Sequence, residues 1–248
     1  MRFRPCIDLH DGLVKQIVGS TLSEGGTPAT NFVADKSSAW FAATYRRDHL
    51  LGGHVIKLGP GNDEAAHAAL AAWPGGMQIG GGIDADNAKG WLDAGASHVI
   101  VTSAVFRDGH VDFASLNRLV AAVGKKRLVL DLSCRQRGDE YVIVTDRWQK
   151  FTATAISPET LAGLAGHCDE FLVHAADVEG KCAGIELPLL DLLAAACPIA
   201  VTYAGGIRNL ADIDLIASHG QGRVDFTVGS ALDIFGGKLP YQSLLRFR

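Results

Sequence analysis

Three short patterns in this chain of 248 residues occur twice, in the same order and about half a chain apart. Asp8-Leu9 recurs as Asp131-Leu132, 123 residues on. The run Gly81-Gly82-Ile83 recurs as Gly205-Gly206-Ile207, 124 residues on, and Thr102-Ser103-Ala104 as Gly229-Ser230-Ala231, 127 residues on. Chance supplies one such pair easily, but hardly three in order at nearly one spacing. The pattern predicts an internal duplication, with pseudo-repeats of about 1–124 and 125–248, and the fold has to be one that two similar halves can complete.

Short β-branched runs fall at residues 3–9, 54–59, 77–80, 98–102, 127–132, 170–174, 199–203 and 224–228. Most are continuously apolar, as expected of parallel strands covered by helices. Between them lie stretches of helical character at 63–73, 87–94, 186–196 and 209–218, and Ser157-Pro158-Glu159 reads as a capped helix start. Strand, turn and helix repeated eight times predict one α/β domain over 1–248, a single (β/α)₈ TIM barrel, rather than an open sheet. Hydrophobic residues make up 48% of the chain and charged ones 20%, enough to bury a large core.

A net charge of -4 argues against nucleic acid or an anionic membrane as partner. The N-terminus reads as a strand rather than a signal peptide, and no apolar run is long enough to span a membrane, so a cytoplasmic, soluble protein is expected. A monomer is expected as well. Five cysteines, an odd number with no C-x-x-C pair and no zinc spacing to histidine, point to reduced thiols and no metal.

In such barrels the chemistry sits at the C-terminal strand ends, and glycine turns there expose backbone N–H groups to anions. Gly205, Gly206, Gly229 and Ser230 form one candidate phosphate cradle; the duplication places a second, from Gly81, Gly82, Thr102 and Ser103, across the mouth. Bulk added at Gly82 or Gly206 is expected to fill the space of the phosphate oxygens. Asp8 and Asp131 end strands one and five, which face each other in an eight-stranded barrel. They are candidates for a general base and a general acid within reach of both cradles. The long polar connection after strand one is expected to start with a hairpin strand at 13–18 and carries a glycine-rich segment at 19–28 with the character of a lid. A second hairpin is expected over 138–148.

Cys6-Ile7-Asp8-Leu9-His10-Asp11-Gly12, Val14-Lys15-Gln16-Ile17-Val18-Gly19, Gly80-Gly81-Gly82-Ile83, Val129-Leu130-Asp131-Leu132-Ser133 and His174-Ala175-Ala176-Asp177-Val178-Glu179-Gly180 together resemble the phosphoribosylformimino-5-aminoimidazole carboxamide ribotide isomerases of histidine biosynthesis, in their eukaryotic-type branch. The resemblance covers essentially the whole chain. It implies an Amadori rearrangement of a bisphosphorylated aminoaldose to an aminoketose without cofactor or metal. Asp8 would take the C2 proton, Asp131 would help to open the ring, and the two cradles would hold the two phosphates. The common bacterial pattern has a threonine after strand six that assists the acid. This chain reads Ala176-Asp177-Val178 there, which leaves the part to a water, Ser133 or His174. Lys57 stands where an aspartate is usual, and Ser230 where an arginine is common. Lys57, Gly19, His174 and Asp177 are the further candidates for substrate contact. Rival readings are the sister barrel that acts as the cyclase of imidazole glycerol phosphate synthase, an isomerase that also accepts phosphoribosylanthranilate, and a non-catalytic sugar-phosphate-binding barrel.

Overall fold

A computed structural model describes residues 1–18, 21 and 29–248. Eight parallel strands form the framework: β1 Cys6–His10, β2 Gly53–Lys57, β3 Met77–Gly80, β4 Val99–Val101, β5 Leu128–Asp131, β6 Glu170–His174, β7 Ala200–Ala204 and β8 Val224–Phe226. Each pairs with the next in chain order. The sheet closes where Phe3, just ahead of β1, bridges Phe226 of β8; Arg4 N–H donates to the Phe226 carbonyl at 2.8 Å, and Phe226 N–H to that of Arg2 at 3.0 Å. The result is the (β/α)₈ barrel that the repeats predicted.

The strands read as apolar throughout because both faces are covered, yet the two faces differ. Ile7 and Leu9, Leu128 and Leu130, Phe171 and Val173, and Val201 and Tyr203 are buried in the large core shared with the helices. The alternate positions face the barrel axis, as a side-chain period of two requires. Ile100, Val129 and Leu172, with Ile56, fill its middle. Below them lies a polar layer, in which Arg4 pairs with Asp225 at 2.8 Å and Glu170 accepts from Gln78 at 3.3 Å and Thr202 at 2.9 Å. Above them, at the C-terminal rim, the inward positions are Asp8, Asp131 and His174.

The outer layer holds α1 Ser38–Arg47, α2 Asp63–Ala72, α3 Ala88–Asp93, α4 Phe113–Val123, α5 Pro158–Ala165, α6 Leu187–Ala196 and α7 Leu210–His219. The chain pattern did not mark α1 or α4, although each has a side-chain cap: Ser37 Oγ accepts from Trp40 N–H, and Asp112 from Ala114 and Ser115. In the eighth helical place stand two 3₁₀ segments, Asp233–Phe235 and Tyr241–Phe247. The hairpin after β1 is present as Leu13–Ile17, which pairs with β1 and with Thr30–Val33. The hairpin after β5 joins Cys134–Arg137 to Glu140–Thr145 and gains an unforeseen third strand, Lys150–Ala155. No helix among the described residues is long and apolar enough to cross a membrane.

Candidate active site

The rim of the barrel opens into a cavity of about 930 Å³ lined by Lys57, Gly81, Gly82, Thr102, Ser103 and Asp131, within the range of small-molecule sites. A narrower cleft beside it is lined by Gly205, Gly206, Gly229 and Ser230. Asp8, His174 and Glu179 line both. The two glycine clusters therefore line adjoining cavities that meet at these ionisable groups. Of the other candidates, Gly19 lies outside the described residues, as does the lid segment apart from Thr21. Asp177 is turned to the hairpin, accepting from Arg135 Nε at 2.8 Å and from Gln136 N–H at 2.9 Å. Lys57 reaches into the large cavity but pairs with Asp63 at 2.8 Å and sits 4.0 Å over the Trp91 ring.

Gly81 and Gly206 are held in place by backbone crowding. Gly206 has φ +74°, and a Cβ there would run into the Gly184 carbonyl. At Gly81 a Cβ would meet the Lys57 carbonyl. Gly82, at φ +67°, is different: a Cβ would meet nothing within 4 Å and would project into open space beside the cavity. The expectation that bulk at Gly82 and Gly206 acts alike is thereby corrected. A side chain at Gly206 disrupts the protein itself, whereas one at Gly82 takes up room in the groove. Ser103 Oγ accepts from Asp146 N–H at 3.3 Å and so ties the hairpin to the first cradle. If the anion is held by backbone N–H groups, Ser103→Ala should weaken substrate binding by no more than several-fold, about the worth of one neutral hydrogen bond; a steady-state KM measures this.

The two aspartates sit in opposite electrostatic settings. Asp8 is driven up to about 6 by burial and then by the nearby Glu179 carboxylate, against the opposing effect of His174 and a 3.0 Å hydrogen bond from Gln16 Nε2. Burial alone would raise Asp131 too. There, His174 and the hydrogen bonds from Ser133 N–H at 2.9 Å and Ser133 Oγ at 2.7 Å more than offset it, and the carboxyl is lowered. The lowered carboxyl favours the carboxylate form of Asp131 at neutral pH. Burial pulls His174 down, but Asp131, with Glu179 and Asp8, outweighs it and lifts the ring to about 9. Its Nδ1 lies 3.4 Å from Asp131 Oδ1, and both side chains are 13% exposed, open to a ligand yet poorly screened by water.

Three groups at this site were not singled out from the sequence. Glu179 lies in the recognised run His174–Gly180, and burial raises its carboxyl. Gln16, on the hairpin strand, is the group that holds Asp8. Trp148 comes from the hairpin after β5 and packs on His174 with ring centroids 5.6 Å apart. It ends a run of three left-handed residues, Asp146, Arg147 and Trp148, none of them glycine.

The family model described as "Histidine biosynthesis protein" matches residues 2–239. The chain is 53% identical over 252 residues to the chloroplastic 1-(5-phosphoribosyl)-5-((5-phosphoribosylamino)methylideneamino)imidazole-4-carboxamide isomerase of Medicago truncatula, covering 99% of this chain and 81% of that protein. Proteins of the same isomerase name from Yarrowia lipolytica and Saccharomyces cerevisiae are 51% and 44% identical; the matches cover 95% and 96% of this chain, and 93% and 94% of those proteins.

Proposed function

The chain belongs to the histidine biosynthesis protein family, and on that premise we propose that it is an aldose–ketose isomerase performing an Amadori rearrangement on the bisphosphorylated aminoaldose of its relatives' names. The observation that carries this reading is the pair of adjoining cavities, each lined by one glycine cluster, that share Asp8, His174 and Glu179 and together make a groove. A substrate with a phosphate at either end spans such a groove and brings its central sugar over the ionisable groups. The reaction needs a base at C2 of one ribose and an acid at its ring oxygen. Asp8, raised toward the working pH, suits the base, since catalytic efficiency is greatest when the pKa lies near that pH. The Asp131–His174 pair supplies the acid side. Gly81, Gly82, Thr102 and Ser103 hold one phosphate, and Gly205, Gly206, Gly229 and Ser230 the other. Thr102 has a second task, since its Oγ1 donates to Asp131 Oδ2 at 3.3 Å.

The names of the relatives favour an isomerase over the cyclase and over a non-catalytic barrel. A cytoplasmic monomer acting on a small molecule, without nucleic acid or membrane as partner, completes the reading. The direct test is a spectroscopic assay with the bisphosphorylated aminoaldose, with and without ammonia. Conversion to the aminoketose, indifferent to ammonia, is expected; a product that forms only with ammonia would move the chain to the cyclase. Because the chemistry is assigned to side-chain acids and bases, activity should also survive exhaustive chelation with EDTA. Loss on chelation, restored by a divalent ion, would refute that assignment.

A further inference from the structure

The next inference rests on the isomerase reading and divides its acid half. We propose that the proton that opens the sugar ring is donated by the His174 imidazole, and that Asp131 is a positioning carboxylate behind it rather than the donor.

The hydrogen bonds carry the argument. Asp131 Oδ1 accepts from Ser133 N–H at 2.9 Å and from Ser133 Oγ at 2.7 Å, and it faces His174 Nδ1 at 3.4 Å. Asp131 Oδ2 accepts from Thr102 Oγ1 at 3.3 Å. A carboxyl whose two oxygens both accept is placed to be an ionised acceptor. The one hydroxyl hydrogen of Ser133 is committed to Asp131, so toward His174 Nδ1, 3.3 Å away, the serine oxygen acts as acceptor. Both contacts therefore call for a hydrogen on Nδ1. Nε2 has no hydrogen-bond partner among the described residues, and the ring lines both halves of the groove. A carboxylate that fixes the tautomer at one nitrogen and steadies the cation formed when the other is protonated is the division of labour of a catalytic triad.

The groups facing the ring agree. Asp131, Glu179 and Asp8 are all acidic. His54 lies below with ring centroids 6.1 Å apart, and burial pushes its pKa down to about 3, so it stays neutral and adds no competing charge. With its own pKa lifted to about 9, His174 enters the reaction protonated at neutral pH.

The protons balance over the cycle. Nε2 gives its proton to the ring oxygen as the C1–O bond breaks; that bond's electron pair goes to the oxygen, and the exocyclic nitrogen's lone pair completes C1=N. Asp8 then takes the C2 proton; the electron pair of the C2–H bond forms C1=C2 as the C1=N π pair returns to the exocyclic nitrogen. The enol hydroxyl returns a proton to Nε2, while C1 receives the proton held by Asp8, leaving C2=O and both residues as they began.

The test is kcat/KM against pH for wild type, Asp131→Asn and His174→Gln, joined to an NMR titration of the His174 ring in the wild-type protein. The wild-type rate should fall on the alkaline side with an apparent pKa near 9, where the ring loses its proton. Asp131→Asn should move that limb down by more than one pH unit, and His174→Gln should lose at least about 10²-fold and show no such limb. A structural role for Asp131 would lower the rate without moving the limb. The ring titration needs neither substrate nor a folded variant. A ring found neutral at pH 7, or an alkaline limb unmoved in Asp131→Asn, would overturn this inference and leave the isomerase reading intact. A wild-type protein unable to convert the aminoaldose would overturn both.

Discussion

Asp8→Asn is expected to lower kcat by at least about 10²-fold, the low end for loss of a positioned base, with KM changed by no more than a few-fold, and at the same time to make the folded protein more stable above pH 6. Both effects have one cause. Burial beside Glu179 lifts the Asp8 carboxyl from 3.8 to about 6, which suits proton abstraction but makes its ionised form costly. The folded state holds this proton more tightly than the unfolded chain does. The penalty is thus absent below the unfolded value, grows as pH rises from about 4, and is complete above about 6. At 1.36 kcal/mol for each pKa unit, the penalty is roughly 3 kcal/mol. The asparagine carries no charge and escapes it. Thermal melts of wild type and variant should coincide near pH 4 and separate in the variant's favour by pH 7.5. Near-normal turnover would remove Asp8 from its role, and melts that stay superimposed at pH 7.5 would show that its carboxylate is well solvated. A residue that costs stability and whose loss costs activity is the signature of a functional site.

The architecture was legible because the paired motifs fall on residues that the fold constrains closely. Gly81 and Gly206 are locked by carbonyls of neighbouring strands and loops, and Asp8 and Asp131 occupy equivalent inward strand ends. The assignment of duties was less legible. Apart from the resemblance, their matched strand-end positions treat the two aspartates as equals. Their difference arises from neighbours distant in the chain: Glu179 beside Asp8, and His174 with Ser133 around Asp131. Glu179 and Trp148 enter the groove from loops whose paths no periodicity encodes, and Gln16 reads as an ordinary polar position on a hairpin strand. The helix α1 was hidden for another reason: its buried face combines Phe41, Ala42, Thr44 and Tyr45 with an Arg46-Arg47 end, a mixture without a clean apolar stripe.

The second large effect is expected at Gly82, where alanine should weaken the bisphosphorylated substrate by about 10²-fold or more while the protein stays folded. At φ +67° an alanine is strained by roughly 1 kcal/mol, but its Cβ meets no protein atom within 4 Å. The stability cost is thus modest, and the methyl stands where a phosphate would approach the backbone. Each charge-assisted hydrogen bond is worth about 1.5–3 kcal/mol, and losing even one, with a methyl pressed against the oxygens, reaches two orders of magnitude. The matching experiment at the other end cannot use Gly206, because its Cβ would strike the Gly184 carbonyl, and unfolding would pass for lost affinity. At Gly229 a Cβ would push on Gln16, the partner of Asp8, and would mix binding with chemistry. Gly82→Ala is therefore best combined with two monophosphate analogues, one bearing each of the substrate's phosphates. Titration calorimetry should find one analogue weakened as much as the full substrate and the other unchanged. If both analogues weakened equally in a variant that still melted as wild type, the groove would not hold its two phosphates in separate cradles.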